Sequence, residues 1–323
     1  MLRYIIFRIC QHVLPRGRVA GPRYDRLHGA APAAPRRASV VAVHRIMGVV
    51  NVTPDSFSDG GEFLDAEVAI RHAVELAEEG ADILDVGGES TRPGSVGVDA
   101  EAELRRVLPV IDGIRAAGLD TRISVDTSKA AVAAAALDAG ADYVNDVTAL
   151  RGDPELAGLV ADRGADVCLM HMLGSPRTMQ DDPRYDDVVD EVKAFLEERL
   201  AAAVRAGIPE QRVELDPGIG FGKTVAHNLE LIDRLDEIVA LGRPVVLGTS
   251  RKGFLGRITG RDRPRDRTAA TLATLVLGLE RGASVFRVHD VAAARDALAV
   301  AAATLARGWP ATTPRTTTRT TTN

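Results

Sequence analysis

Two hydrophobic periods alternate along this chain. Short Val-, Ile- and Leu-rich runs bounded by Gly, Asp or Pro recur at 46–51, 82–86, 122–126, 142–147, 166–171, 213–216, 244–249 and 284–289; they read as buried strands. Amphipathic stretches between them, at 67–79, 101–117, 128–139, 154–163, 186–206, 226–240, 265–281 and 291–307, predict helices. Gly80, Gly118, Gly140, Gly164, Gly207, Gly242 and Gly282 each follow a helical stretch, where a left-handed terminal residue is favoured. The pattern predicts an α/β protein, a single (β/α)8 TIM barrel with disordered N- and C-terminal extensions. The competing topology, a doubly wound open sheet, wants a Gly-rich phosphate turn after its first strand. Here that strand runs into NVTPDSFSDGG instead. In a barrel the active site is expected at the C-terminal ends of the strands.

Those ends carry residues that a buried strand should not tolerate. Asn51 closes IMGVVN, Asp126 closes RISVD, Asn145 and Asp146 close DYVND, and Asp216 closes VELD. Ser250, Arg251 and Lys252 follow PVVLGT, and Arg287 and His289 sit in SVFRVH. Burying an unpaired polar group is costly, so a set at equivalent positions suggests one shared polar pocket. Side chains alternate across a strand; Ser124 with Asp126, Glu214 with Asp216, and Arg287 with His289 therefore share a face. Asp126, Asn145 and Asp216 offer acceptors and an amide that suit a flat heterocycle rich in N–H donors. Asp126 precedes TSK and a helix, so a helix-capping role also stays open for it.

The cations face another task. Lys252, Arg287 and His289 near Asn51 would hold a polyanion. Thr91 and Arg92 in GGESTRPG add a hydroxyl and a guanidinium, although a surface ion pair explains Arg92 equally well. The loops NVTPDSFSDGGEF and GGESTRPGSVG are long for βα connections. Their Gly, Ser and Asp content suits a lid, with Phe57 and Pro93 as its apolar contacts. Two other motifs fail. GFGKT at 220–224 ends like a phosphate-binding P-loop, but Pro217 stands where that pattern needs glycine. His171 and His289 lack the HxH pair or carboxylate ladder of a zinc hydrolase, so His171 reads as a packing or hydrogen-bonding residue.

Composition narrows the class. Hydrophobic residues make up 46% and aromatics 4% of 323 residues, so small aliphatic side chains fill a sizeable core. A net charge of −5 argues against nucleic acid as a partner. No apolar run reaches the ~18 residues of a membrane span. Cys10 and Cys168 make no disulfide scaffold; Cys168 reads as a buried free thiol, and a reducing, cytoplasmic setting is expected. Residues 1–44 hold eight arginines and one acid, Asp25. They read as a basic, disordered extension, with an arm or a transit-like peptide as alternatives. The barrel is expected over 45–308 and a Thr-rich disordered tail over 309–323.

The segments MGVVNVTPDSFSDGG (47–61), DILDVGGESTRPG (82–94), ISVDTSK (123–129), NDV (145–147), CLMHMLGSPRTMQ (168–180), LDPGIGFGKT (215–224), GTSRK (248–252) and FRVHD (286–290) together resemble bacterial dihydropteroate synthase. The likeness runs in order from about 46 to 306 and leaves out both tails. Leu173 departs from it, standing where the family often has Gln. The resemblance implies condensation of 6-hydroxymethyl-7,8-dihydropterin diphosphate with 4-aminobenzoate, giving 7,8-dihydropteroate and pyrophosphate by dissociative substitution. It implies that Asp126, Asn145, Asp216 and Lys252 hold the pterin while Arg287 stacks on it. Asn51, Thr91, Arg287 and His289 would take the diphosphate, with Asn51 also on Mg²⁺. Phe57, Arg92, Pro93, Phe221, Ser250 and Lys252 would border the aminobenzoate, and Asp55 and Asp126 would stabilise charge on the intermediate. Sulfonamides would compete for the aminobenzoate pocket. A homodimer is implied, with 265–281 and 291–307 as its interface. A pterin-binding methyltransferase module and a non-catalytic paralogue are the other readings. The STRPG loop and the SRK and RVH cations argue against both.

Overall fold

The computed structural model describes residues 44–52, 61–92 and 94–306. Asp55, Phe57 and Pro93 lie outside these residues, as do almost all of the two expected extensions. Eight parallel strands alternate with helices: β1 (Arg45–Asn51), α1 (Gly61–Glu78), β2 (Ile83–Gly87), α2 (Ala100–Ala116), β3 (Arg122–Asp126), α3 (Ala130–Asp138), β4 (Tyr143–Asp146), α4 (Leu156–Arg163), β5 (Asp166–Met170) and α5 (Val188–Arg205) come first. Then follow β6 (Val213–Asp216), α6 (Val225–Asp233), α7 (Leu235–Val239), β7 (Val246–Leu247), α8 (Gly253–Thr259), α9 (Thr268–Glu280), β8 (Val285–Val288) and α10 (Val291–Leu305). Each strand pairs with its neighbours in sequence, β1 pairs with β8, and a parallel bridge from Leu215 to Val245 joins β6 to β7. The protein is a (β/α)8 barrel.

Strand parity sorts the core into two shells. Outward residues such as Leu84, Val125, Val144, Leu169 and Phe286 pack under the helices. Inward residues Met47, Ile83, Tyr143, Cys168, Val246 and Val285 form a separate apolar plug inside the barrel. Filling that interior with side chains makes it a packed core, on which a site can be built at one end only. Cys168 is the free, buried thiol the pattern suggested.

Helix ends follow local chemistry. Asp99 accepts the Ala102 N–H at 2.7 Å, Asp187 accepts Val189 and Asp190 N–H groups at 2.9 Å, and Thr224 forms a reciprocal capping box with His227. All seven helix-terminal glycines have positive φ, between 61° and 106°. Several boundaries differ from the pattern, among them the strand expected over 244–249, which is only Val246–Leu247. The stretch expected as one helix over 226–240 breaks at Arg234, whose φ of −102° and ψ of 26° end α6 and begin α7. The helix α8 occupies GFLGRIT, where the glycines hide the periodicity. The first helix begins at Gly61 rather than 67.

Candidate active site

The C-terminal ends of the strands converge on a polar cluster. At its centre lies Asp85, fully buried, in the middle of β2. Its carboxylate accepts the Ser124 hydroxyl at 2.6 Å, the Asn145 amide at 3.2 Å and the Arg287 Nε–H at 2.6 Å. The other side of the Arg287 guanidinium donates to Asp126 at 2.8 Å. Arg287 is thus clamped between two carboxylates from β2 and β3, with its plane fixed. Asp126 does not cap α3: Lys129 holds that position, and Asp153 accepts the Ala130 N–H at 2.8 Å. Sequence reading named Asp126, Asn145 and Arg287 but passed over Asp85, which binds all three strands together.

Across the mouth, Asp216 ends β6 and accepts the Gly218 N–H at 2.6 Å. Gly218 has φ +66°, and a Cβ there would stand 1.8 Å from the His171 carbonyl oxygen. Only glycine lets the loop after β6 lie against the loop after β5. Lys252 donates to the Ile219 carbonyl, and its Nζ stands 4.6 Å from the Phe221 ring centroid. A Cβ on Gly248 would be 3.8 Å from that Nζ and 3.9 Å from Asp216 Oδ2; the missing side chain leaves the two charges one small space. Arg251 sets the direction of Lys252. Its left-handed backbone, φ 58°, is held by a forked pair with Asp290 (3.0 and 2.5 Å), by Arg267 on its carbonyl, and by Thr271 on its N–H. Such a conformation costs about 1–3 kcal/mol in a non-glycine residue.

The anion-facing side is partly assembled. The Ser250 Oγ accepts the His289 backbone N–H at 3.2 Å and lies 3.0 Å from its Nδ1. Ser250 therefore orients His289 directly. Asn51 closes β1 half-buried, opposite Gly87 in register. Thr91 is half-buried and Arg92 exposed on the loop after β2, and Arg92 is near enough to His289 to disfavour its protonation. Phe221 is half-buried against Val147, Met170, Met172 and Met179. His171 lies behind the pocket, 2.9 Å from Lys223 Nζ and edge-on to Phe195.

Burial shifts the protonation of these groups. It raises the Asp126 carboxyl to about 8; Arg287 opposes this, while Asp85 reinforces it. Asp216 is likewise raised by burial against the pull of Lys252. Burial brings Lys252 down to about 8, with Asp216 pulling the other way. His289 is lowered to about 3 by burial and by Arg251, and His171 to about 2 by burial and Lys223. Both imidazoles are neutral at pH 7. Perturbed acids and a perturbed amine in one cleft are what a catalytic or binding site looks like.

The sequence family decides the broader class. A family described as pterin binding enzyme matches residues 47–289. The chain belongs to that family. It is 44% identical over 260 residues to the dihydropteroate synthase of Escherichia coli strain K12, covering 80% of this chain and 91% of that one. It is 50% identical over 246 residues to a probable bifunctional folylpolyglutamate synthase/dihydropteroate synthase of Haloferax volcanii; this covers 76% of the present chain but only 29% of that longer protein. A solved structure of Xanthomonas albilineans dihydropteroate synthase with 4-aminobenzoic acid superposes with a TM-score of 0.76 at 52% identity, over 80% of this chain and 92% of that one.

Proposed function

We propose that this protein is a dihydropteroate synthase, joining 6-hydroxymethyl-7,8-dihydropterin diphosphate to 4-aminobenzoate with release of pyrophosphate. The observation that carries the reading is the charge arrangement at the barrel mouth. Asp126, Asp216 and Asn145 present acceptors around one space, and Lys252 and Arg287 border it. With its amide N–H engaged by Asp85, Asn145 leaves its carbonyl oxygen for a ring N–H. Asp126 and Asp216 accept further pterin N–H groups, Lys252 donates to a ring acceptor, and the flat Arg287 stacks on the ring.

Asn51, Thr91, Arg287 and His289 take the diphosphate. Ser250 Oγ accepts the His289 backbone N–H and lies 3.0 Å from Nδ1; in the tautomer in which the hydroxyl donates to Nδ1, the neutral ring carries an Nε2–H to donate to a phosphate oxygen. Breaking the methylene C–O bond develops positive charge on the pterin and negative charge on the leaving diphosphate. Asp126 and Asp216 in their ionised forms favour the first, and the developing positive charge in turn offsets the burial that raises both carboxyls; Arg287, Lys252 and His289 favour the second. The aminobenzoate amine then attacks as a neutral nucleophile between Phe221, Arg92, Ser250 and Lys252, so no nucleophilic Ser or Cys is required. Asp55, Phe57 and Pro93 are assigned by resemblance alone.

Mg²⁺ suits this donor set. Among the described residues no group of three or more His, Cys, Asp or Glu could hold a metal ion. Asn51 offers one neutral oxygen, which would suit a hard cation held mainly by the diphosphate and by water. Bound there, Mg²⁺ would neutralise charge on the departing oxygens. A homodimer through α9 and α10 is supported by exposed Val276, Leu277 and Val300, and sedimentation checks it. The free, buried Cys168 suits the reducing cytoplasm, and no described helix is long and apolar enough to cross a membrane.

The deciding experiment is pyrophosphate release by the purified protein with Mg²⁺ and dihydropterin diphosphate, with and without 4-aminobenzoate. Release that depends on the aminobenzoate and yields dihydropteroate is expected, as is competitive inhibition by a sulfonamide. Pterin binding without release would return the protein to the non-catalytic or methyltransferase reading.

A further inference from the structure

A second ion cluster lies behind the polar mouth, and the chemistry just described does not use it. Lys129 Nζ, three residues past Asp126, donates to Glu89 on the loop after β2 and to Glu103 on α2, the latter at 2.5 Å. Glu103 is fully buried, and one of its oxygens has no hydrogen-bond partner. Arg106, one turn along α2, donates to the Gly88 carbonyl at 2.6 Å. The returning leg of the same loop closes over the cluster, since a Cβ on Gly97 would stand 2.9 Å from Glu89 Oε1. Both legs of the loop that carries Thr91 and Arg92 therefore meet at Glu89, and Lys129 ties that point to the segment after β3. Farther out the loop touches the one after β5, where Gly94 N–H donates to the Pro176 carbonyl at 3.0 Å.

We propose that Glu89 and Lys129, backed by Glu103, are positioning residues that latch the base of this loop and so place Thr91 and Arg92 against the substrates. The assignment rests on the dihydropteroate synthase reading for its substrates, but its geometry stands apart from it. A cation between two carboxylates holds better than one surface pair, because removing it leaves a buried charge uncompensated. A loop that must present a guanidinium within a fraction of an ångström gains from such an anchor, since a misplacement of about 1 Å can cost up to a hundredfold in rate. Glu89 is the better residue to change. Its side chain is 23% exposed, and its removal leaves the buried Lys129–Glu103 pair intact.

The test compares wild type, Glu89→Ala and Lys129→Met by the KM for 4-aminobenzoate, the Kd of free 6-hydroxymethyl-7,8-dihydropterin, and hydrogen exchange of the 90–97 amides. Glu89→Ala is expected to raise the aminobenzoate KM by about tenfold or more. The pterin Kd should stay within about twofold, because Asp126, Asn145 and Asp216 are untouched, and exchange over 90–97 should quicken. Lys129→Met should do the same or more; if it fails to fold, Glu89→Gln, which keeps the side chain's shape, takes its place. Unchanged KM and exchange in Glu89→Ala would overturn the latch, and so would a parallel loss of pterin affinity. Faster exchange over 90–97 in Glu89→Ala than in wild type, with no aminobenzoate-dependent turnover in either, would remove the synthase reading while leaving the latch in place.

Discussion

The two ends of this barrel are built from the same charged residue types and treat them differently. At the N-terminal end, Arg122 is shared between Asp142 at 2.8 Å and Asp166 at 2.6 Å, and Arg212 also reaches Asp166 at 3.1 Å. Arg115 caps the carbonyls of Leu119, Thr121 and Gly140. Inside that end, Glu214 takes both Arg45 and the Tyr143 hydroxyl. Every formal charge named there is answered by protein. At the C-terminal end, among the described residues, Asp126 accepts one hydrogen bond, from Arg287, and Asp216 one, from a backbone N–H. Lys252 donates to a backbone carbonyl rather than to a carboxylate. Saturated pairs support the fold, whereas desolvated groups with spare hydrogen-bonding capacity are held ready for a ligand.

Breaking the one pair that serves both purposes should have the largest effect. Arg287→Ala leaves Asp85 and Asp126 buried without a cation, so a loss of about 3–5 kcal/mol is expected in urea unfolding, together with loss of turnover. Lys252→Ala separates the two roles. Its kcat/KM should fall by about 10²–10³, the usual cost of one preorganised donor, while unfolding stays within about 1 kcal/mol of wild type. The pH profile sharpens the point. Lys252 is lowered to about 8 by burial, so it carries its proton below that pH and loses it above. Pterin-substrate kcat/KM should therefore peak near pH 8, rising as Asp126, itself raised to about 8, ionises and falling as Lys252 loses its proton; Lys252→Arg, which stays charged, should retain its residual activity to higher pH. At the other end, Arg122→Ala should cost only about 1 kcal/mol by thermal unfolding, because the pair is partly exposed, and leave kcat unchanged.

Much of this difference was legible in the chain. Polar residues at strand ends stand out against Val- and Ile-rich runs, which marks Asp126, Asn145 and Asp216; parity sets Asp126, Asp216 and Arg287 on shared faces, and Lys252 stands out as a cation just past PVVLGT. Asp85 was missed, because it sits one inward position below the end of β2. A rule that inspects only strand ends passes over it, although a carboxylate inside ILDVG, in register with Ser124, is itself an anomaly. The bond between Ser250 and His289 joins residues 39 positions apart, and no local period encodes such a contact. The break at Arg234 escaped for a related reason. That guanidinium gathers Asp187, Glu230 and Glu237, and Asp187 comes from a different helix start. The glycines of α8 masked a short helix that begins directly after Lys252.

The most direct measurement sets Asp126→Asn beside Arg122→Ala, reading aminobenzoate-dependent pyrophosphate release and thermal unfolding on each. If unsatisfied charge at the mouth performs the chemistry, Asp126→Asn loses about 10²-fold or more in kcat with its unfolding temperature nearly kept, and Arg122→Ala loses stability with its kcat kept. Full turnover in Asp126→Asn with pterin affinity unchanged, or a collapse of turnover in Arg122→Ala at a temperature where it is folded, would contradict that division.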